Sequence, residues 1–253
     1  GRFPFNVPSL RDLSRLDFTA PVTFFVGENG SGKSTLLEAI ALATELPVAG
    51  SAEHRDPTLS AQDELAGALR LSWTRRTRRG FFLRAEDFFG HAQRLAAMRE
   101  GLQASLRQVH EEYVDRPPLE RDRVAAPFTG QLAALQGRYG EGLDAGSHGE
   151  NFIKFFSNRL VPQGLYLLDE PEAPLSPVRQ LALLARMAQA VRDGSQFIVA
   201  THSPILMAYP GATLLSFDAS PPREVPWDAV EHVSLTRDFL NAPARFLREL
   251  LEP

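Results

Sequence analysis

The stretch from Pro21 to Ala43, PVTFFVGENGSGKSTLLEAIALA, constrains what this chain can fold into more than any other. Val22 to Val26 is an apolar, β-branched and aromatic run of the kind that makes a buried parallel strand. Leu36, Leu37, Ala39, Ile40, Ala41 and Leu42 then follow on good helix formers, and Pro47 ends the helix. Between strand and helix lies Gly27-Glu28-Asn29-Gly30-Ser31-Gly32-Lys33-Ser34, a complete phosphate-binding loop.

Each residue type in that loop has a physical task. Gly27, Gly30 and Gly32 let the backbone adopt positive φ and approach phosphate oxygens with no Cβ in the way. The amides of the loop, including those of Asn29, Ser31 and Thr35, are then free to point at the β- and γ-phosphates, helped by the positive end of the helix. Lys33 brings a mobile positive charge to the β/γ oxygens, and Ser34 offers a hydroxyl to Mg²⁺. Strand, loop and helix together are what a nucleoside triphosphate, ATP or GTP, requires.

Composition narrows the rest. At 253 residues, 43% hydrophobic and 23% charged, the chain reads as one large domain, or one domain with an insertion, with a sizeable core. A net charge of −4 argues against a general basic coat for nucleic acid. The absence of cysteine excludes disulfides, thiolate zinc sites and a cysteine nucleophile. No apolar run approaches the length of a membrane span and no leader pattern is seen, so the expectation is a cytoplasmic protein without membrane insertion. The missing initiator Met reads as a trimmed N-terminus.

Along the chain, residues 1–20 read as a short edge strand or loop, with core packing the expected fate of Phe3, Phe5 and Phe18. Residues 48–67 form a surface connection with a helix from Ser60 to Ala68. The apolar runs Ala68–Trp73 and Gly80–Arg84 flank Arg75, Arg76, Arg78 and Arg79, which predicts a hairpin with a cationic tip. Leu95, Met98, Leu102, Leu106 and Val109 recur at helical spacing over His91–Asp115, and a shorter helix is expected over Thr129–Gln136. Gly164-Leu165-Tyr166-Leu167-Leu168-Asp169-Glu170-Pro171 reads as a second buried strand, ending in two acids. Pro177–Arg192 is an amphipathic helix, Gln196–Ala200 a third strand leading to Thr201-His202-Ser203-Pro204, and Ala212–Phe217 a fourth. Helices, including Ala242–Leu251, close the chain.

Alternating strands and helices predict a mostly parallel α/β sheet, whose ligands bind at the carboxyl ends of the strands. The phosphate loop, the acidic pair and His202 all stand at such ends. Asp169 is suited to Mg²⁺, a cation that wants hard oxygen ligands. Glu170 is suited to orient or deprotonate an attacking water, and His202 to sense the γ-phosphate.

GENGSGKST, LYLLDEPE and ATHSP, in that order, resemble the ATP-binding cassette (ABC) ATPases, and within them the soluble SMC/RecF-like ATPases of the AAA kind. The resemblance covers residues 20–46 and about 145–217. It implies an α/β P-loop NTPase fold of ABC type: a mostly parallel sheet core, an antiparallel hairpin region and a short helical insertion. It implies a single ATPase domain over residues 1–253, with the helical part at about 87–160. It also implies ATP and Mg²⁺, with Glu170 and His202 catalytic and Ser34 and Asp169 holding the metal. The family's signature motif is matched by Gly146-Ser147-His148-Gly149-Glu150 at the head of a helix. There Ser147, Gly149 and Glu150 would meet the ATP of a second copy, giving a homodimer on ATP binding. His148 replaces a Gly and Glu150 a Gln of that motif. Glu172 to Pro177 occupies the place of the family's D-loop. Glu86 sits where the family's metal-contacting Gln is expected. A protein partner or DNA would receive the motion. The rival readings are the nucleotide-binding subunit of a membrane transporter, a P-loop kinase, and a nucleic-acid-binding module that uses ATP as a switch.

Overall fold

A computed structural model describes residues 2–49, 60–139 and 148–251. Their strands are β1 (Val22–Val26), β2 (Gly80–Arg84), β3 (Leu165–Asp169), β4 (Gln196–Ala200), β5 (Thr213–Ser216) and β6 (Arg223–Glu224). They form one sheet in the order β2-β3-β4-β1-β5-β6, parallel except for the β5–β6 pair. The mostly parallel α/β sheet is thus present, and its antiparallel element is β5–β6.

The hairpin expected over residues 68–84 does not form. Among the described residues, 69–79 contain no strand, and β2 pairs parallel to β3, with Phe81 opposite Tyr166 and Arg84 opposite Asp169. The other edge of β2 is taken by residues 47–49: Phe82 N–H donates to Pro47 O at 2.9 Å, and Ala49 N–H to Phe82 O at 2.7 Å. With both sides of β2 occupied, the apolar run before it has no ladder to join. That run instead lies along the surface, where Arg75 donates to Gln163 Oε1 at 2.6 Å and Thr77 Oγ1 to Gln163 O at 2.9 Å.

Strand alternation sorts the core into two layers. Val22, Phe24, Val26, Phe81, Leu83, Tyr166, Leu168, Phe197 and Val199 pack on one face. Against them lie α6 (His148–Arg159), through Phe152 and Phe156, and α7 (Pro177–Arg192), through Leu183 and Met187. Phe25, Phe82, Leu165, Leu167, Ile198 and Leu215 line the other face, under α2 (Lys33–Ala43) and α3 (Ser60–Ala68). The amino-terminal segment holds a single turn, α1 (Pro8–Arg11), in place of an edge strand. Phe18 packs on Phe25, but Phe3 and Phe5 are exposed, not core.

Between β2 and β3 the described chain is helical: α4 (Ala85–Glu112), α5 (Pro118–Tyr139) and α6. The first two are longer than the leucine spacing alone predicts, and α5 carries Pro127 inside it. Past β4 come the short α8 (Pro204–Met207) and, beyond the sheet, α9 (Glu231–Asn241) and α10 (Pro243–Leu251). Because the five longer strands are parallel, all their carboxyl ends open onto one rim. Arg84, Asp169, Ala200, Phe25 and Leu215 form a single register row across it.

Candidate functional site

The strand register alone brings distant segments together at that rim. Asp169 shares its side of β3 with Leu165 and Leu167, so its carboxylate emerges on the face that carries α2. There Ser34 Oγ, in the first turn of α2, donates to Asp169 Oδ1 at 2.9 Å. Arg84 emerges on the same side of β2, and its Nε lies 3.5 Å from Asp169 Oδ2. The Arg84 guanidinium also pairs with Glu38, one turn beyond Ser34 on α2. Burial pushes the Asp169 carboxyl above the usual range, while the Ser34 hydrogen bond and the Arg84 charge pull it back.

The loop itself is drawn inward. Lys33 is buried, and its Nζ donates to Gly27 O at 2.7 Å and Glu28 O at 2.8 Å, with Ser31 Oγ at 3.4 Å. Burial lowers the Lys33 pKa; the carboxylates of Asp218, Glu170, Asp169 and Glu28 oppose that shift. These acids therefore lie in the electrostatic neighbourhood of one lysine. Glu28, Asn29 and Gly30 are exposed, Ser31, Ser34 and Thr35 half-buried, and Gly32 caps α2 in a left-handed conformation. Asp218, two residues past β5, accepts from the Glu28 amide at 2.8 Å. A Cβ on Gly27, where φ is +132°, would stand 2.7 Å from Asp218 Oδ1, so only glycine lets that carboxylate close over the loop entry. Ser9, on α1, donates to Ser31 O from below.

Glu170 adopts φ +49°, an uncommon state for a non-glycine residue, and its side chain is 46% exposed. Its Oε1 is 3.8 Å from His202 Nε2. His202 is held from three directions. Its amide donates to Glu172 Oε1 at 2.7 Å, its Nδ1 lies 3.1 Å from His232 Nε2, and Ser203 beside it caps α8 by accepting from the Leu206 amide at 3.1 Å. Burial first, then Lys33 and His232, lower the His202 pKa; Glu170 and Glu28 raise it. Burial also pushes the Glu172 carboxyl up.

Lys33, Ser34, Asp169, Glu170 and His202 thus share one rim. Glu86 does not reach it by any described contact: β2 ends at Arg84, and Glu86 is an exposed residue in the first turn of α4. Ser147 lies outside the described residues. Gly149 is buried, and a Cβ there would meet Pro174 O at 2.8 Å and Arg179 Cδ at 2.6 Å. Glu150 pairs with Lys154 at 3.1 Å and Arg179 at 3.7 Å. Sequence reasoning missed Arg84, Glu38, Asp218 and His232 as parts of this rim. The positions of Arg84 and Asp218 at or just past strand ends are the signal that could have found two of them.

The donor set suits Mg²⁺. Ser34 and Asp169 present two hard oxygens, and among the described residues no group of three His, Cys, Asp or Glu is gathered to cage a metal. A cation that keeps its waters and takes phosphate oxygens needs no more than this from the protein.

Two family models match the chain. One, described as an AAA domain, matches residues 5–88; the other, an AAA domain whose description also names the AbiEii toxin of type IV toxin–antitoxin systems, matches residues 153–208. Thirty-one solved chains match the structure. One is UvrA2 from Deinococcus radiodurans, at 20% identity and TM-score 0.24, covering 48% of this chain; the chain spans 17% of the length of that protein. Another is the Smc head domain from Pyrococcus furiosus, solved with an extended coiled coil and bound to the C-terminal domain of ScpA. It matches at 12% identity and TM-score 0.39, covering 88% of this chain and 93% of that one. No curated protein sequence matches. The chain is similar to AAA-domain P-loop ATPases at both segments that build the rim. Among the described residues, no helix is long and apolar enough to cross a membrane.

Proposed function

We propose, from an AAA-domain match on the phosphate loop and another on the acidic strand end, that this chain is a Mg²⁺-dependent ATPase of ABC type. The observation that carries the reading is the 2.9 Å hydrogen bond from Ser34 to Asp169, which joins the phosphate loop to the acidic strand 135 residues away. A loop that binds a triphosphate and a carboxylate that holds its metal have to meet in this way.

Lys33 leaves the loop carbonyls for the β- and γ-phosphate oxygens, and the loop amides from Asn29 to Thr35 complete the cradle. Ser34 and Asp169 would hold Mg²⁺, which when bound would offset the negative charge of the triphosphate. Arg84 works against the burial that raises the Asp169 carboxyl, favouring its charged form. Glu170 orients the attacking water and takes its proton, and His202 faces the γ-phosphate side from the next strand end. The catalytic power is positioning and charge stabilisation. Ser147, Gly149 and Glu150 meet the ATP of a second copy in a homodimer. The helical part at 87–160 is an insertion in a single domain, and the pair, closing on ATP and opening on hydrolysis, passes that motion to a protein partner or DNA.

The test is Glu170→Gln. It retains ATP, slows hydrolysis by about 100-fold or more, and gathers as a dimer in light scattering with ATP. Hydrolysis at the wild-type rate would remove Glu170 from the mechanism.

A further inference from the structure

His202 has a partner that hydrolysis as proposed does not use. His232 is the second residue of α9, thirty positions further along the chain. Its Nε2 lies 3.1 Å from His202 Nδ1, and the rings stand 4.9 Å apart with their planes at 58°, so they meet edge to edge without stacking. Two imidazole nitrogens this close must share one proton.

The surroundings of His202 say which ring owns it. His202 Nε2 is buried without a hydrogen-bond partner and faces Glu170 Oε1 at 3.8 Å. An ionised carboxylate can only accept, so a bare Nε2 would turn its lone pair toward the carboxylate oxygen and stay buried without a partner. A proton on Nε2 removes that conflict. Neutral His202 then has Nδ1 as its acceptor, and the shared proton belongs to His232 Nε2. The backbone that carries His232 is anchored to the core. Val230 and Val233, on either side of His232, are buried, and Trp227 Nε1 donates to Pro204 O at 3.2 Å, tying the approach to α9 to the segment after His202.

We infer that His232 is a positioning residue of the site: by donating from Nε2 to His202 Nδ1 it fixes the His202 proton on Nε2, turned toward Glu170 and the γ-phosphate. The inference rests on the ATPase reading for its purpose, though not for its geometry. The same logic governs histidine ligands whose second nitrogen is held by a neighbour.

The experiment uses the full chain labelled with ¹⁵N-histidine. Long-range ¹H–¹⁵N correlation reads the His202 tautomer, assigned by the signal lost in His202→Gln, and Mg-ATP turnover is followed in parallel. Wild type shows a fixed Nε2–H tautomer. His232→Ala shows a mixture of tautomers, with kcat down by about 10- to 100-fold and KM within about twofold. His232→Gln, whose amide N–H can take the same place, restores both. A proton on Nδ1 in the wild type, or an unchanged tautomer in His232→Ala, overturns the inference, as does a His232→Gln protein that remains folded but behaves like His232→Ala. Absence of ATP turnover in the wild type would instead sink the ATPase reading, and the tautomer signals would still decide the histidine pair.

Discussion

Lys33, Arg84 and His202 each couple a local contact to a measurable quantity. Lys33→Ala removes the only ammonium in the loop; calorimetry should find ATP affinity lowered by about 100-fold or more, and unchanged binding would refute the loop's role. Arg84 shields two buried carboxylates, with Glu38 only 8% and Asp169 5% exposed. Arg84→Met should therefore cost about 3 kcal/mol in urea unfolding, because it leaves buried charge uncompensated. His202 titrates below its ordinary value of 6.5, so between the two values the unfolded chain holds a proton that the folded chain does not. Its contribution to stability rises with pH through that window and is lost as pH falls through it. Asp169 and Glu172, with raised values, act in the opposite sense from the carboxylate range upward. Hence the loss of stability in wild type from about pH 7.5 to about pH 5.5 should shrink in His202→Gln; an identical pH profile would contradict the shift. That Lys33, Asp169, Glu170 and His202 come together on one rim was legible because each stands at or after the end of an apolar strand in a recognisable order. Arg84 and Glu38 were not, because their pairing depends on which face of β2 and α2 meets the other, and one sequence does not reveal that.

At the level of elements, β2 shows where pattern reading goes astray. Two apolar runs around a cationic turn satisfy every local rule for a hairpin, but β3 and residues 47–49 occupy both edges of β2. The giveaway was Gly80. It has φ +121°, and a Cβ there would fall on the Leu165 backbone, so the chain enters β2 through a close approach to β3 that no other residue permits. Gly80→Ala should cost more than about 2 kcal/mol. Gly101→Ala, at an open position inside α4, should gain about 0.5–1 kcal/mol. Equal urea midpoints for the two variants would refute the argument. Strands β1 and β4 were legible to the residue and β3 to within two at its end, since buried parallel strands are continuous apolar runs. The lengths of α4 and α5 were not, because their polar surfaces leave only a thin apolar stripe to read, and Pro127 argues locally against a helix that its surroundings sustain.

For the whole molecule, the parallel sheet turns five strand ends into one rim, so segments from residue 27 to residue 218 can act on a single ligand. That convergence follows from topology and was open to sequence reasoning once the strands were identified. The proposed pairing of two copies rests on the resemblance alone, because a second copy leaves no mark on one chain's hydrophobic pattern. In light scattering, Glu170→Gln should double its mass with Mg-ATP, and Glu170→Gln combined with Lys33→Ala should not; a mass independent of nucleotide in both would exclude the sandwich. The most direct measurement is a crystal structure of the full chain with Mg²⁺ and a non-hydrolysable ATP analogue. The account predicts the β- and γ-phosphates within hydrogen-bond reach of Lys33 Nζ, the metal on Ser34 and Asp169, and His202 Nε2 facing the γ-phosphate. A triphosphate bound away from residues 27–34, or one with Asp169 remote from it, would contradict the account.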